Sequence, residues 1–278
     1  MNFPDPYIQL PNAVHTHTAI LLHGRGSSGA EFAEDFLSSS LSQGQTVQSC
    51  LPSWRWVFPT SRSRWSATFQ EYECSWFDIV SLTDVEARHE LQVGGLRESV
   101  FHVLGILEHE VQLLDNQASR ICLGGISQGM ATALWAMLYA AGQIHSPLGG
   151  FVGFCGWMPF ARQISGLVKT DGTTETKQHR VIEFVHSIVV QSSDKQEDMN
   201  THKSAILSTP VFLAHGIDDP FVSIDLGLQA AGVLSQILDH VEWSEFAGAD
   251  NDGHWIKEPE GFDRLMKFLK QNMSWPTK

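Results

Sequence analysis

The sequence predicts an α/β fold in which a mostly parallel central sheet is covered by helices on both faces. Short apolar runs, typical of buried strands, alternate along the chain with stretches of helical periodicity. Several of the apolar runs are followed directly by Gly, His, Ser or Asp, as expected where strand ends of an open sheet form a site. The 278 residues, 42% of them hydrophobic, are enough to bury one large core. We therefore expect a single domain over residues 1–278.

The apolar runs place the strands at 18–22, 54–59, 120–126, 149–155, 210–214 and 241–246. The helical periodicity places helices at about 30–40, 84–115, 128–141, 223–238 and 258–272. The long helix is expected to break near Gly94 and Gly95, because glycine weakens a helix interior. Residues 1–17 are predicted to form an irregular arm, and residues 60–73 a polar loop with several aromatic side chains.

The core of the domain is expected over 18–160 and 209–272. Residues 161–208 have a different character, since polar stretches near 170–178 and 191–203 flank an apolar one. We interpret 161–208 as an inserted excursion, which forms either a lid or a surface decoration. No large cap domain is expected.

The composition excludes several kinds of partner. Eighteen lysine and arginine residues against 31 aspartate and glutamate residues give a net charge of −13, which argues against nucleic acid. We expect no signal peptide, and no apolar run approaches the roughly 18 residues of a membrane span. The cysteines show no metal-ligand spacing, which favours a reducing, cytoplasmic location and no metal site: Cys50, Cys74, Cys122 and Cys155.

The residues Gly125-Ile126-Ser127-Gln128-Gly129 follow an apolar strand and precede a helix-forming run. They match G-x-S-x-G, the pattern of a nucleophile elbow, which projects a serine hydroxyl into a cleft. The two glycines leave room for the sharp turn from strand to helix. The backbone N–H of Gln128 opens the helix and is a candidate donor to an oxyanion. The alternative is a glycine-rich turn with a chance serine, because only three of the five residues are fixed.

A second glycine-rich loop, His23-Gly24-Arg25-Gly26, follows the strand at 18–22. In α/β hydrolases a loop at this place supplies the other backbone donor of the oxyanion hole, here the N–H of Arg25. The alternative is a dinucleotide-binding loop, since the glycines at 24, 26 and 29 match G-x-G-x-x-G. That alternative is weaker, because no acidic residue follows a second strand about 20 residues later, where one should bind the ribose.

Ser127 is followed along the chain by Asp219 and then by His254, each placed just after a predicted strand. The order Ser, Asp, His is that of α/β hydrolases and differs from other serine-hydrolase folds. In this interpretation His254 takes the proton of Ser127 and later returns it to the leaving group, while Asp219 orients the imidazole. Asp218 is adjacent to Asp219, and the residue types alone do not separate the two.

At these positions the chain resembles the acyl-protein thioesterase/carboxylesterase family of α/β hydrolases, also called the phospholipase/carboxylesterase family. The resemblance rests on His23-Gly24-x-Gly26, Ser75-Trp76-Phe77-Asp78, the elbow, His215-Gly216-Ile217-Asp218-Asp219-Pro220 and Gly253-His254. It implies a serine hydrolase that cleaves esters or thioesters carrying acyl chains, with no metal and no organic cofactor. It also implies that the acid is Asp219, the residue before the proline, and that the oxyanion donors belong to Arg25 and Gln128.

Three further side chains are expected in the wall of the substrate pocket. Trp157 and Met158 leave the strand at 149–155 at the end where the site should lie, and Trp76 belongs to an aromatic stretch. Arg25 stands where the family usually has an apolar residue. We take this as a hypothesis that the leaving part of the substrate is anionic. The substrate itself is expected to be an acyl ester or thioester, such as a lipidated protein or a carrier-bound acyl chain.

Two other functions remain open on the sequence alone. In the first, an alcohol or amine attacks the acyl-serine in place of water, which makes the protein an acyltransferase or a cyclase. Aromatic side chains near the site would favour this by excluding water. In the second, less favoured because the three catalytic residue types are all present, the fold is a non-catalytic receptor that binds a ligand in the pocket.

Overall fold

The computed structural model describes residues 2–66, 68–81, 84–190 and 205–273. Within these residues it contains nine strands, which are β1 (Tyr7–Gln9), β2 (His17–Leu22), β3 (Trp54–Phe58), β4 (Arg62–Ser66), β5 (Glu71–Ser75), β6 (Ile121–Ile126), β7 (Gly150–Phe154), β8 (Val211–Gly216) and β9 (Val241–Phe246). Seven of them form the main sheet in the spatial order β1-β3-β2-β6-β7-β8-β9. β4 and β5 pair as a separate antiparallel hairpin.

All neighbouring strands of the main sheet run parallel except β1, which pairs antiparallel with β3 at the edge. The central strands β2, β6, β7 and β8 are buried along their whole length, as their continuous apolar sequences require. Parallel strands bring their carboxyl ends to one edge of the sheet. The loops that follow β2, β6, β8 and β9 therefore meet at that edge.

The helices are α1 (Gly29–Ser38), α2 (Val47–Cys50), α3 (Gln92–Leu113), α4 (Gln128–Tyr139), α5 (Ala161–Lys169), α6 (Thr174–Val189), α7 (Ile224–Leu234) and α8 (Glu260–Asn272). Helices α3 to α7 contribute to the core on one face of the sheet, and α1, α2 and α8 to the core on the other. This arrangement confirms the predicted α/β-hydrolase fold, with helices on both faces of a mostly parallel sheet. In the described part of the chain no helix is both long and apolar enough to cross a membrane.

Three local predictions differ from the structure. The arm at 1–17 contains β1 and the beginning of β2, and the loop at 60–73 contains most of the β4–β5 hairpin. Both hairpin strands are only partly buried and mostly polar, so they lack the apolar signal of the sheet strands. Helix α3 runs unbroken through Gly94 and Gly95. A side chain at 95 would put its Cβ 2.7 Å from Cα of Phe77, so this glycine allows a close approach rather than a break.

The excursion begins as two helices, α5 and α6, whose buried side chains join the core beneath α4 and α7. Ile164 and Val168 of α5, and Val181 and Val185 of α6, are all fully buried. Residues 161–190 therefore extend the helical layer on one face of the sheet. Residues 191–204, the second polar stretch of the excursion, lie outside the described residues.

Candidate active site

Ser127 lies at the turn between β6 and α4 with backbone angles φ 55° and ψ −126°. Such angles are rare for a residue with a side chain and are typical of a serine held in a strained elbow. The flanking glycines are required here because the backbone at the end of β2 is very close. A Cβ at 125 would lie 2.5 Å from the carbonyl oxygen of Leu22, and a Cβ at 129 would lie 2.3 Å from the same oxygen. The elbow therefore packs directly on the end of β2.

His254 and Asp219 form a close pair at the same edge of the sheet. Nδ1 of His254 lies 2.7 Å from Oδ2 of Asp219, whose side chain is fully buried. The other carboxylate oxygen, Oδ1, accepts the backbone N–H groups of Phe221 and Val222 at 2.9 and 3.0 Å. A carboxylate bound to Nδ1–H leaves Nε2 of the neutral imidazole as a proton acceptor. This is the tautomer that a general base needs.

His215 is a second histidine on the same carboxylate, and sequence reasoning gave it no role. Its Nε2 lies 2.8 Å from the carbonyl oxygen of Val222 and 3.4 Å from Oδ2 of Asp219. Burial alone would raise the pKa of Asp219, but hydrogen bonds from His215, His254 and the N–H of Val222 outweigh it and hold that pKa well below its usual range. The carboxylate is therefore ionised. The only sequence signal for His215 was its place in the His-Gly-x-x-Asp-Pro motif.

The structure separates the two adjacent aspartates. Oδ2 of Asp218 accepts the backbone N–H of Gly248 at 2.7 Å, which ties the turn after β8 to the loop after β9. Gly253, at φ 93°, allows this loop to pass close to Asp218, since a Cβ there would lie 2.9 Å from Oδ1 of Asp218. Asp218 thus holds the loop that carries His254, while Asp219 contacts the histidine itself.

The loop after β2 lies beside the elbow, because a Cβ at position 24 would be 3.4 Å from Cβ of Ser127. His23 fixes this loop through both ring nitrogens: Nδ1 lies 2.6 Å from the oxygen of Gly24, and Nε2 accepts the N–H of Ser61 at 3.0 Å. Burial lowers the pKa of His23 to about 4, so the ring is neutral. Among the described residues, no acceptor is found for the backbone N–H of Arg25 or of Gln128. Both groups are thus free to bind an oxyanion.

The side chain of Arg25 is occupied by other protein groups. Its guanidinium forms an ion pair with Glu73 of β5, with Nε 2.7 Å from Oε1, and lies 4.1 Å from the ring centroid of Phe69. The positive charge is therefore balanced within the protein. This pairing argues against our hypothesis that Arg25 attracts an anionic leaving group.

A cavity of about 720 Å³ opens beside Ser127 and His254. Its lining includes the apolar side chains of Ile79, Val85, Trp157, Phe221 and Val222 and the acidic side chains of Asp35, Asp250 and Glu258. Of the three side chains expected in the wall, Trp157 lines the cavity, whereas Trp76 and Met158 do not. Both are buried in the core instead, and Nε1–H of Trp76 donates to the carbonyl oxygen of His23. No described residue of 161–190 lines this cavity.

Cys155 completes a cluster whose atom types occur in metal sites. A thiol, a carboxylate oxygen and an imidazole nitrogen lie within 4.8 Å of one another on Cys155, Asp219 and His254. The oxygens of Asp219 already accept N–H groups, and burial raises the pKa of the Cys155 thiol to about 12. A protonated thiol and a hydrogen-bonded carboxylate are poor ligands, so this chemistry disfavours a metal ion here.

We predict that Gly129→Ala lowers the turnover of a simple acyl ester by about 100-fold or more, because the added methyl displaces the elbow by up to an ångström. Gly105→Ala in α3 is the matched control, since a Cβ there meets nothing within 4 Å. It should leave turnover unchanged and raise the free energy of unfolding by up to about 1 kcal/mol. Steady-state kinetics and denaturant unfolding measure both effects. Full activity in Gly129→Ala would contradict the close packing of the elbow on β2.

We also predict that His23 makes the fold sensitive to acid. The pKa of His23 is lowered from 6.5 to about 4 in the folded chain, so the unfolded chain binds more protons between these pH values. The contribution of His23 to the free energy of unfolding is fully present above pH 6.5. It falls as the pH drops toward 4, by no more than about 1.4 kcal/mol per pH unit. Urea unfolding at pH 7 and pH 5 should show a smaller loss of stability for His23→Asn than for the wild type.

The control for this measurement is His240→Asn, since the His240 side chain is exposed and its Nε2 lies 2.9 Å from Oε1 of Glu242 at the surface. It should lose as much stability as the wild type between the two pH values. His102, whose pKa is also lowered to about 4 by burial, stays in all three proteins and does not affect the comparison. An equal loss in His23→Asn and in the wild type would contradict the prediction.

Comparison with known proteins places this fold and geometry in one family. The family described as Phospholipase/Carboxylesterase matches residues 4–195. Acyl-protein thioesterase 1 of Yarrowia lipolytica is 28% identical over 275 residues, which cover 97% of this chain and 98% of that protein. Acyl-protein thioesterase 1 of Gibberella zeae is 27% identical over 265 residues, covering 93% and 92%.

The crystal structure of Zea mays acyl-protein thioesterase 2 has the same fold. It superposes with a TM-score of 0.66 at 23% identity, over 98% of this chain and 100% of that chain. The family match spans more than half of the present chain, and the relatives match it almost end to end. The chain therefore belongs to the phospholipase/carboxylesterase family of α/β hydrolases.

Proposed function

We propose that this protein hydrolyses carboxylic esters or acyl thioesters through an acyl-serine intermediate on Ser127. The observation that carries the proposal is the hydrogen bond of 2.7 Å between His254 and the ionised, buried Asp219, at the cavity that Ser127 also lines. A serine hydroxyl is a weak nucleophile at neutral pH and needs an oriented base. His254 is that base, and Asp219 fixes its tautomer and stabilises the imidazolium.

In the acylation half of the reaction, Nε2 of His254 accepts the proton of Ser127 while Oγ attacks the carbonyl carbon. The carbonyl oxygen becomes an oxyanion, which the backbone N–H groups of Arg25 and Gln128 bind. The bond to the leaving alcohol or thiol then breaks, and the imidazolium protonates the leaving group. In the deacylation half, water gives a proton to His254 and attacks the acyl-serine. The bond between the acyl carbon and Oγ then breaks, the imidazolium returns the proton to Oγ of Ser127, and the carboxylic acid leaves.

The cavity supports an acyl substrate with a lipid-like chain. Its lining includes the apolar side chains of Ile79, Val85 and Trp157, which can contact such a chain, together with three acidic side chains. The relatives are named acyl-protein thioesterases, so we propose an acylated protein as the natural substrate class. We also propose a cytoplasmic location, which agrees with the absence of a disulfide among the four described cysteines.

The two alternatives from the sequence are less well supported. The acyltransferase or cyclase interpretation is not favoured by the relatives described above, which are named acyl-protein thioesterases. The receptor interpretation would not require an ionised aspartate oriented toward a histidine at the cavity. Hydrolysis therefore remains the proposal.

We predict that a fluorophosphonate probe labels the wild type and not Ser127→Ala, because only an activated serine reacts with it. The same two proteins are then compared on a thioester and an oxygen ester with identical acyl chains, and only the wild type should release the acid. Intact-mass analysis with added alcohols or amines measures transfer to another acceptor. Labelling of Ser127→Ala at the wild-type level, or of neither protein, would contradict the proposal.

A second prediction separates the two adjacent aspartates. Asp219→Asn should lower kcat by about 10³- to 10⁴-fold, because the amide favours the wrong tautomer of His254. Asp218→Asn is the matched control, since asparagine keeps an oxygen that accepts the N–H of Gly248, and kcat should stay within about tenfold of wild type. The kcat of each variant is measured by steady-state kinetics and normalised to the fraction of protein that the fluorophosphonate probe labels. Equal losses in the two variants would contradict the assigned role of Asp219.

A further inference from the structure

Residues 74–77, here called the clamp segment, contact the loop after β2 on both sides of Arg25. The N–H of Gly26 donates to the carbonyl oxygen of Cys74 at 2.8 Å. On the other side, Nε1–H of Trp76 donates to the carbonyl oxygen of His23 at 2.9 Å. Arg25 lies between these two anchored residues. The position of its backbone N–H is therefore tied to the clamp segment.

The same segment is bonded to the elbow through one side chain. The N–H of Trp76 donates to Oε1 of Gln128 at 2.9 Å, and Nε2–H of Gln128 donates to the carbonyl oxygen of Phe77 at 2.8 Å. Trp76 and Gln128 are both fully buried, so water does not replace these bonds. The side-chain amide of Gln128 thus bonds to the clamp segment, while its backbone N–H is the oxyanion donor of the proposed mechanism.

The clamp segment is itself held rigidly from behind by α3. Oγ of Ser99 donates to the carbonyl oxygen of Trp76 at 2.6 Å. Gly95 brings the helix so close that a Cβ there would lie 2.7 Å from Cα of Phe77. The segment is therefore a fixed bridge between the two loops rather than a mobile connection.

We propose that Trp76 and the side chain of Gln128 are positioning residues that set the separation of the two oxyanion donors. The inference rests on the proposed function, because it assumes that the N–H groups of Arg25 and Gln128 bind the oxyanion. Such donors act only when they lie about 2.7–3.1 Å from the developing charge. The two donors belong to loops after different strands, and the clamp segment bonds to both. Removing its bonds lets the donors separate while the pocket for the acyl chain keeps its walls.

The first test compares Trp76→Phe with Trp56→Phe. Phenylalanine fills most of the space of tryptophan but lacks the N–H that binds the oxygen of His23. Trp56 is the matched control, because it is equally buried and its Nε1 has no hydrogen-bond partner in the described structure. After normalisation to the fraction labelled by fluorophosphonate, kcat should fall by about 10- to 100-fold in Trp76→Phe, with KM within about threefold of wild type. Trp56→Phe should show no comparable loss of kcat.

The second test compares Gln128→Met with Gln178→Met. Methionine keeps the length and the backbone N–H of residue 128 but removes both bonds to the clamp segment. Gln178 in α6 is also buried and also donates to a backbone oxygen, that of Ile237, at 2.7 Å, far along the chain from the elbow. We expect kcat to fall in Gln128→Met and to show no similar fall in Gln178→Met. If Trp76→Phe does not fold, this second pair of variants still tests the proposal.

A binding measurement distinguishes positioning from simple loss of structure. A trifluoromethyl ketone with the same acyl chain as the assayed ester forms an adduct with Ser127, and the oxygen of this adduct occupies the oxyanion position. The amide of the same acyl chain binds without reacting. In Trp76→Phe and Gln128→Met the ketone should bind weaker by the same factor as the fall in kcat/KM, about 10- to 100-fold, while binding of the amide is unchanged.

The proposal is overturned if both variants behave like their controls, or if ketone and amide lose affinity equally. Failure of the proposed function gives a different result. In that case the wild type itself shows no labelling, no hydrolysis and no preference for the ketone over the amide.

Discussion

The site depends on the close approach of the elbow to the end of β2. The carbonyl oxygens of Leu22 and His23 occupy the space that side chains at 125 and 129 would fill. This contact fixes the position of Ser127 relative to the loop that carries Arg25. Since β2 and β6 are neighbouring parallel strands, the positions of Ser127, Gln128 and Arg25 are set by the register of one strand pair. The local strain at Ser127 is maintained because the surrounding sheet is fully buried.

The second requirement is a stable negative charge inside the protein. A buried carboxylate is costly unless several donors satisfy it, and Asp219 has backbone N–H groups on one oxygen and histidines on the other. The turn that begins at Pro220 supplies the backbone groups, which explains why the acid precedes a proline. Asp218 points the other way and holds the neighbouring loop. Two identical residue types in sequence thus have different functions, set by the donors that each one meets.

Much of the fold and of the site could be predicted because the signals were local. Continuous apolar runs identified the sheet strands, and the elbow, the glycine loop and the order of Ser127, Asp219 and His254 identified the residues that the structure brings to one edge. The hairpin β4–β5 could not be predicted, because exposed strands of mixed polarity carry no apolar pattern. Trp76 was expected in the pocket on the basis of its residue type. Its real surroundings are set by contacts with residues 23, 99 and 128, which no local pattern shows.

The β4–β5 hairpin limits how the sequence of this enzyme can be changed, whether by engineering or in evolution. Strand β5 carries Glu73, the partner of Arg25, and its last two residues are the first two of the clamp segment. Hairpins outside the main sheet are usually exchangeable modules, because surface connections tolerate insertions and replacement. Here strand β5 leads directly into the bonds of the clamp segment with residues 23, 26 and 128. Changes of sequence at its exposed positions are therefore compatible with these bonds, whereas a change of strand length by one residue would displace Cys74 and Trp76 from them.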